Sequence, residues 1–285
     1  MSDVPARVGV LGGGRMGAGI AHAFLVCGSD VAVVERNDDE AAAARDRVMS
    51  AVAMSVDRGA VAETADAIGG RLATGTDDGL FDDCDLVVEA VPEELALKLA
   101  SLSRIEDRVG STVTIASNTS SISIDELAAS LRYPGRFIGA HFFNPVPASA
   151  LVEVVVGAVT DPTVVETVQG WVTAIDKTPI TVRNSPGFAS SRLGLVIGLE
   201  AIRMLEEGVA SAADIDAAMV LGYRYPVGPL RLTDIVGLDV RLGIAEYLHS
   251  QLGERFAPPQ LLRDKVATGQ LGRKSGQGFF DWSNQ

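Results

Sequence analysis

Short apolar runs, rich in β-branched residues, alternate with longer amphipathic segments through the first two thirds of the chain. Each run has the length of one strand, and we predict strands at 7–12, 30–35, 85–91, 112–117, 136–141, 151–156 and 178–182. Segments of helical length separate most of these runs, at 15–27, 38–58, 94–108 and 162–175. This alternation predicts a mainly parallel sheet covered by helices.

The pattern changes after residues 183–188, where strand-like runs end and helical periodicity replaces them. The next segment carries an apolar stripe at helical spacing, formed by Leu193, Val196, Ile197, Ala201, Met204 and Leu205. Ser211 and Asp214 have the spacing of a capping box for the following helix. We therefore predict an α/β domain at 1–185 and an all-helical domain at 186–285. The length of the stripe leads us to expect a homodimer formed through the helical domain.

A glycine-rich loop follows the first predicted strand and opens the first predicted helix. Gly12, Gly14 and Gly17 have the G-x-G-x-x-G spacing, and Met16 lies inside the loop. In a dinucleotide site the first glycine allows the tight turn, the second lets the backbone approach a pyrophosphate, and the third lets helix and strand pack closely. The positive end of the helix attracts the phosphates. The pattern predicts a Rossmann-type domain that binds a dinucleotide.

An acidic residue ends the second predicted strand. Glu35 stands where a carboxylate can accept hydrogen bonds from the adenosine ribose and repel a 2′-phosphate. This favours NAD over NADP as the cofactor, although the neighbouring Arg36 weakens the preference.

Composition narrows the class of protein further. A formal net charge of −13 argues against a nucleic-acid partner, because phosphate binding needs clustered Lys and Arg. Cys27 and Cys84 are the two cysteines, without a CxxC motif or a Cys/His cluster, so neither a disulfide framework nor a metal site is expected. The start lacks a signal-peptide pattern, and no long uncharged apolar segment occurs. We expect a cytoplasmic protein that does not insert into a membrane.

Three histidines are candidates for acid–base chemistry. We interpret His22, inside the first helix, and His249, in a polar helical segment, as structural or solvated. His141 ends a predicted strand, at the sheet edge where open parallel sheets bind ligands. Glu153 interrupts the apolar run at 151–156, and it can meet His141 if the two strands are neighbours. The glutamate would then orient the imidazole and stabilise its protonated form. Spacing alone fits equally well with a solvated edge-strand glutamate beside an unrelated histidine.

Several further motifs occur in one order along the chain: "DLVVEAVPEEL", "SNTSSISI", "RFIGAHFFNPVP" with "LVEVV", "SPGF" and "GRKSGQGFFDW". Together with the glycine loop, they resemble the short 3-hydroxyacyl-CoA dehydrogenases, particularly the bacterial 3-hydroxybutyryl-CoA dehydrogenases. The resemblance covers nearly the full chain. It implies NAD-dependent oxidation of a short-chain (S)-3-hydroxyacyl-CoA to the 3-ketoacyl-CoA, and the reverse.

The resemblance also implies roles for individual residues. His141 is the expected general base and Glu153 its partner. Ser120 and Asn144 are expected at the catalytic centre, near both the nicotinamide and the reacting oxygen of the substrate. Without the resemblance, Ser120 could equally be a turn or helix-cap hydroxyl and Asn144 a turn residue before Pro145.

The same resemblance extends the cofactor site. Glu93 and Lys98 match positions that line the cofactor, and Lys274 matches a lysine on its side contributed by the C-terminal segment. For Glu93 and Lys98 the alternative is an exposed helix start with the glutamate at its positive end, and for Lys274 it is a solvated charge.

Two departures from the family pattern concern the substrate. Alanines replace the lysines that usually hold the CoA 3′-phosphate, which leaves Arg58 as the candidate, with a solvated helix-end arginine as the alternative. Ser191 stands where the family usually has asparagine, and a shorter hydroxyl side chain there predicts reduced or shifted specificity.

Two other functions remain open at this point. A dehydrogenase of the same fold could act on a free hydroxy acid or a sugar acid, since the histidine–glutamate chemistry needs no CoA. A non-catalytic NAD-binding or structural protein is the second alternative.

Overall fold

The computed structural model describes residues 4–283. The chain divides between Ser185 and Pro186 into two compact units. No helix within the described residues is long and apolar enough to cross a membrane.

The first unit contains one eight-stranded sheet. In chain order its strands are β1 Arg7–Leu11, β2 Asp30–Val34, β3 Leu72–Gly75, β4 Leu86–Glu89, β5 Thr114–Ser117, β6 Phe137–Phe142, β7 Leu151–Val156 and β8 Thr178–Arg183. Their spatial order is β3-β2-β1-β4-β5-β6-β7-β8. Every pairing is parallel except that of β6 with β7, which is antiparallel. The mainly parallel Rossmann-type sheet predicted from the alternation is confirmed.

Six helices accompany this sheet: α1 Arg15–Leu25, α2 Asp38–Asp57, α3 Ala65–Gly69, α4 Leu95–Arg108, α5 Ile124–Ala128 and α6 Pro162–Ala174. The four longest are the four predicted segments, each within two residues at either end. Asn37 fixes the start of α2, because its side chain accepts a hydrogen bond from the amide of Glu40 at 2.9 Å. Strand β3 was missed. Its sequence, Leu-Ala-Thr-Gly, is short and only its first residue is fully buried, so it lacks an apolar run.

The second unit is helical, as predicted. It contains α7 Ser190–Glu206, α8 Ala212–Ala217, α9 Pro229–Val236, α10 Leu238–Leu252 and α11 Gln260–Ala267. Ser211 caps α8 as predicted, because its hydroxyl accepts from the Asp214 amide at 3.2 Å. The Asp214 carboxylate accepts from that same hydroxyl at 2.6 Å, whereas a full capping box would bond it to the Ser211 amide.

The apolar stripe expected on α7 is only partly the buried face: Ala201 is buried, and Val196, Met204 and Leu205 pack against the core of the helical unit. The helix buries Leu195, Leu199 and Ile202, whereas Leu193 is 61% exposed. Most other members of the predicted stripe are only half-buried. From residue 193 to residue 199 the helix carries only apolar residues and glycine, so periodicity alone did not show which side packs inward.

A buried carboxylate anchors the C-terminal segment within the helical unit. Asp234 is fully buried and accepts hydrogen bonds from the amides of Phe279 and Phe280, both at 2.9 Å, and from the Trp282 indole at 2.8 Å. A side chain at Gly278 would overlap the same carboxylate. The segment that carries Lys274 is therefore fixed at its end by a charged acceptor.

Candidate active site

The glycine loop lies between β1 and α1. Gly12 has a φ of +94°, and a Cβ added there would lie 3.0 Å from the carbonyl oxygen of Ala90. A Cβ on Gly17 would overlap the carbonyl oxygen of Gly12, so the helix can approach the loop this closely only with glycine. Gly14 is the N-cap of α1, and a Cβ added there would meet nothing within 4 Å. The loop thus leaves room for a diphosphate at the positive end of a helix.

Glu35 follows β2 and bonds back to the glycine loop. One carboxylate oxygen accepts from the amide of Gly13 at 2.6 Å, and the other accepts from the amide of Arg36 at 3.1 Å. The Arg36 guanidinium pairs with Glu40 at 2.8 Å. Arg36, the cation expected to weaken the preference for NAD, is therefore partly neutralised by Glu40 of α2.

A cleft of about 760 Å³ lies at this edge of the sheet. Eight of the site residues predicted from the sequence line it: Gly12, Gly14, Met16, Glu35, Glu93, Ser120, His141 and Asn144. Parallel strands place their carboxyl ends at the same edge, which is why residues more than a hundred positions apart share one cleft.

His141 and Glu153 face each other across the antiparallel strands β6 and β7. They are register partners, and Nδ1 of His141 lies 2.7 Å from Oε2 of Glu153. Glu153 is fully buried, and His141 is buried while still lining the cleft. The alternative of a solvated glutamate beside an unrelated histidine is excluded.

Glu93 organises the loop that carries Ser120. One of its oxygens accepts hydrogen bonds from backbone and side-chain donors of Thr119, Ser120 and Ser121, at 2.7 to 3.3 Å. Burial alone would raise the pKa of the Glu93 carboxyl, but the charge of Lys98 and the donors of Thr119 and Ser121 outweigh it and lower the pKa. Glu93 is thus held as a carboxylate.

A buried ion pair lies behind Glu93. Lys98 and Glu89 are both almost fully buried, and Nζ of Lys98 contacts both Glu89 oxygens at 2.8 and 3.1 Å and a Glu93 oxygen at 3.3 Å. Glu89 also accepts from the Ser117 hydroxyl at 2.6 Å. Lys98 therefore contacts the carboxylates beneath the cleft wall and does not line the cleft itself. Sequence reasoning missed Glu89, although a glutamate ending a buried strand was a usable signal.

Asn118 is a second residue that sequence reasoning missed. It lines the cleft, and its Oδ1 accepts from the amide of Phe142 at 2.9 Å. This bond ties the end of β5 to the end of β6, next to His141. Its position inside the "SNTSS" motif was the signal available.

The other candidates lie elsewhere. Arg58 follows α2, is exposed and does not belong to the described lining of the cleft. In the helical unit, Ser191 lies in the first turn of α7, and Lys274 pairs with Asp239 at 2.6 Å. Their substrate and cofactor roles stay predictions.

The two remaining histidines have local partners. His22 is buried, with Nε2 at 2.8 Å from the Ser55 hydroxyl, and burial followed by the charge of Lys177 lowers its pKa. His249 lies 3.1 Å from Glu254 in the helical unit.

The glycine loop, the acid after β2 and the histidine at the sheet edge define an α/β dehydrogenase of the dinucleotide-binding class. Residues 7–185 match the NAD-binding domain of 3-hydroxyacyl-CoA dehydrogenase, and residues 187–282 match its C-terminal domain. The chain belongs to the 3-hydroxyacyl-CoA dehydrogenase family and is an NAD-dependent dehydrogenase.

Relatives agree over nearly the whole chain. The 3-hydroxybutyryl-CoA dehydrogenase of Mycobacterium tuberculosis is 40% identical over 287 residues, covering 99% of this chain and 100% of the relative. A probable 3-hydroxybutyryl-CoA dehydrogenase of Deinococcus radiodurans is 39% identical, covering 97% of this chain and 100% of the relative. The crystal structure of (S)-3-hydroxybutyryl-CoA dehydrogenase from Ralstonia eutropha has a TM-score of 0.94 and 40% identity, covering 98% of this chain and 100% of that one.

Proposed function

We propose that this protein interconverts short-chain (S)-3-hydroxyacyl-CoA and 3-ketoacyl-CoA with NAD, with 3-hydroxybutyryl-CoA as the expected substrate. One observation carries the proposal: His141, paired with buried Glu153, opens into the same cleft as the glycine loop. The family and the relatives supply the substrate class.

The dinucleotide has fitting residues in this structure. Gly12, Gly14 and Gly17 leave the backbone accessible at the start of α1, and Glu35 faces the same cleft where ribose hydroxyls would bind. Met16 lines the cleft beside the loop. When bound, NAD supplies the acceptor for the hydride that leaves C3 of the substrate.

His141 is the proposed general base. An ionised Glu153 can only accept a hydrogen bond, so the contact at 2.7 Å assigns the proton on Nδ1 to His141 as donor. Nε2 is then the nitrogen that takes the proton of the 3-hydroxyl group as the C3 hydrogen departs. The buried carboxylate stabilises the imidazolium that forms, and in the reverse reaction His141 returns the proton.

Ser120 and Asn144 are proposed to position the reacting oxygen and the nicotinamide. Both line the cleft near His141, and Ser120 is held by Glu93. Glu89 and Lys98 support that arrangement from below, so we assign Lys98 a positioning role that acts through Glu93.

The remaining assignments belong to the same proposal. Ser191 contacts the substrate, Lys274 lies on the cofactor side, and Arg58 is the candidate for the CoA phosphate. We retain a homodimer, now attributed to the exposed apolar side chains of the helical unit, such as Leu193, and a cytoplasmic location. A monomeric mass in light scattering at low micromolar concentration would contradict the dimer.

The proposal is tested by NADH oxidation with acetoacetyl-CoA, repeated with free acetoacetate and with NADPH. We expect turnover with the thioester and NADH, and at least a tenfold lower kcat/KM, about 1.4 kcal/mol, in each other combination. Turnover with free acetoacetate alone would identify a hydroxy-acid dehydrogenase and refute the proposal.

A further inference from the structure

Arg15 is a cation inside the glycine loop, between Gly14 and Met16, and it is the first residue of α1. It is exposed and lines the same cleft as the glycine loop and His141. Within the part of the chain that the structure describes, no hydrogen bond or ion pair holds its guanidinium. The charge of Arg15 is therefore available to a ligand that enters the cleft.

The two other arginines that line the cleft are already paired. Arg36 contacts Glu40 at 2.8 Å, and Arg104 contacts Asp78 at 2.7 Å. Arg15 is thus the one arginine in the described lining of the cleft whose charge no carboxylate offsets. The whole chain carries a formal net charge of −13, which repels an anionic ligand at long range. A free cation at the glycine loop opposes that repulsion where the ligand binds.

The position of Arg15 on its helix is electrostatically unfavourable in the protein alone. The N-terminus is the positive end of a helix dipole, so acidic residues are preferred there and cations are not. Helix α2 follows this preference with Asp38, Asp39 and Glu40 in its first turn, whereas the first turn of α1 has no acidic residue and begins with Arg15. A local preference that is broken at a binding site indicates a function for the residue that breaks it.

We propose that the guanidinium of Arg15 binds the diphosphate of NAD and adds a side-chain cation to the backbone donors of the glycine loop. The inference deepens the proposed function and rests on NAD as its cofactor. A Cβ added to the neighbouring Gly14 would meet nothing within 4 Å, so the loop leaves room for phosphate oxygens beside Arg15. The planar guanidinium can donate two parallel hydrogen bonds to such oxygens. The negative diphosphate then offsets both the arginine and the positive helix end.

The test is the Kd of NADH, measured by fluorescence titration at about 0.05 M and about 0.5 M salt. The two phosphates are the only charged groups of NADH, so a loss that depends on charge reports on them. Arg15→Gln should raise the Kd about 10-fold at low salt, the lower end for a hydrogen bond between charged groups. The difference should shrink to about threefold or less at high salt, because exposed charges are screened. Arg15→Lys keeps the charge and should stay within about threefold of the wild type. Arg108→Gln is the matched control: it removes one charge from an exposed pair with Asp82, outside the described lining of the cleft, and should leave the Kd within about twofold.

The melting temperature gives a second readout that needs no catalysis. Without NADH, Arg15→Gln should melt at the wild-type temperature or above it, because a cation leaves the positive end of the helix. The rise that NADH produces should be smaller in this variant, since the stabilisation depends on the Kd.

Four results would overturn the inference. These are an unchanged Kd in Arg15→Gln, a loss that is the same at both salt concentrations, an equal loss in Arg108→Gln, and a clear fall in the melting temperature of Arg15→Gln without NADH. The first three would show that the charge of Arg15 does not act on the diphosphate, and the fourth would give Arg15 a structural role. Wild-type protein that does not bind NADH would instead refute the proposed function itself.

Discussion

The substitution Glu153→Gln removes one charge from the His141–Glu153 pair while keeping the shape of the side chain. The glutamate is fully buried, and its oxygen lies 2.7 Å from Nδ1 of the histidine. Glutamine can still accept a hydrogen bond there, but it cannot balance the charge that His141 gains when it takes the substrate proton.

The size of the effect follows from that contact. A hydrogen bond to a charged group is worth about 1.5–3 kcal/mol. Since each 1.36 kcal/mol corresponds to tenfold in rate, we expect kcat to fall by about 10- to 150-fold. The KM for NADH should change little, because Glu153 lies behind the imidazole on β7 and is not part of the described cleft lining.

The assay is steady-state NADH oxidation with acetoacetyl-CoA, with kcat and both KM values determined for each variant. Glu166→Gln makes the same chemical change at an exposed position on α6 and should stay within twofold of the wild type. If Glu153→Gln also stays within twofold, the buried charge does not serve the chemistry and the dyad is wrong. A rise in the KM for NADH without a fall in kcat would contradict its placement behind the histidine.

Three further outcomes are expected. Glu89→Gln and Lys98→Met should each lower the free energy of unfolding in urea by about 3–5 kcal/mol, because each leaves a buried charge without its partner. The double variant should lose clearly less stability than the sum of the two, and additive losses would contradict the coupling. Glu35→Ala should narrow the preference for NADH over NADPH by at least tenfold, measured as the ratio of kcat/KM values, and an unchanged ratio would remove Glu35 from the ribose site. The pKa of Glu93 in the fold is lower than 4.5, the ordinary pKa of a glutamate, so its ionised form stabilises the fold at pH values above 4.5. This stabilisation is lost as the pH falls through the pKa of Glu93 in the folded state. The melting-temperature deficit of Glu93→Gln should therefore be constant near neutrality and shrink in acid, and a deficit that grows in acid would contradict the sign.

Much of the α/β unit could be predicted because its signals are local. A strand, a glycine loop and a helix follow one another between residues 7 and 25, so turn chemistry and periodicity agree. The pairing of His141 with Glu153 needed one further fact, that β6 and β7 are antiparallel neighbours. Alternation put the glutamate on one face of its strand but did not say which strand lay beside it.

The features that were missed depend on tertiary contacts. Glu89 looks like an ordinary strand residue until α4 brings Lys98 against it. The start of the buried face of α7 was misplaced because Leu193 and Leu195 are equally apolar and only packing distinguishes them.

The central claim is that His141 carries the proton in the NAD-dependent conversion of a 3-hydroxyacyl-CoA. The most direct measurement is kcat/KM for acetoacetyl-CoA reduction by NADH in the wild type and in His141→Ala. We predict robust turnover by the wild type and a loss of about 10²- to 10⁴-fold in the variant, the range for a general acid–base group. Wild-type enzyme without turnover, or a variant that retains it, would contradict this account.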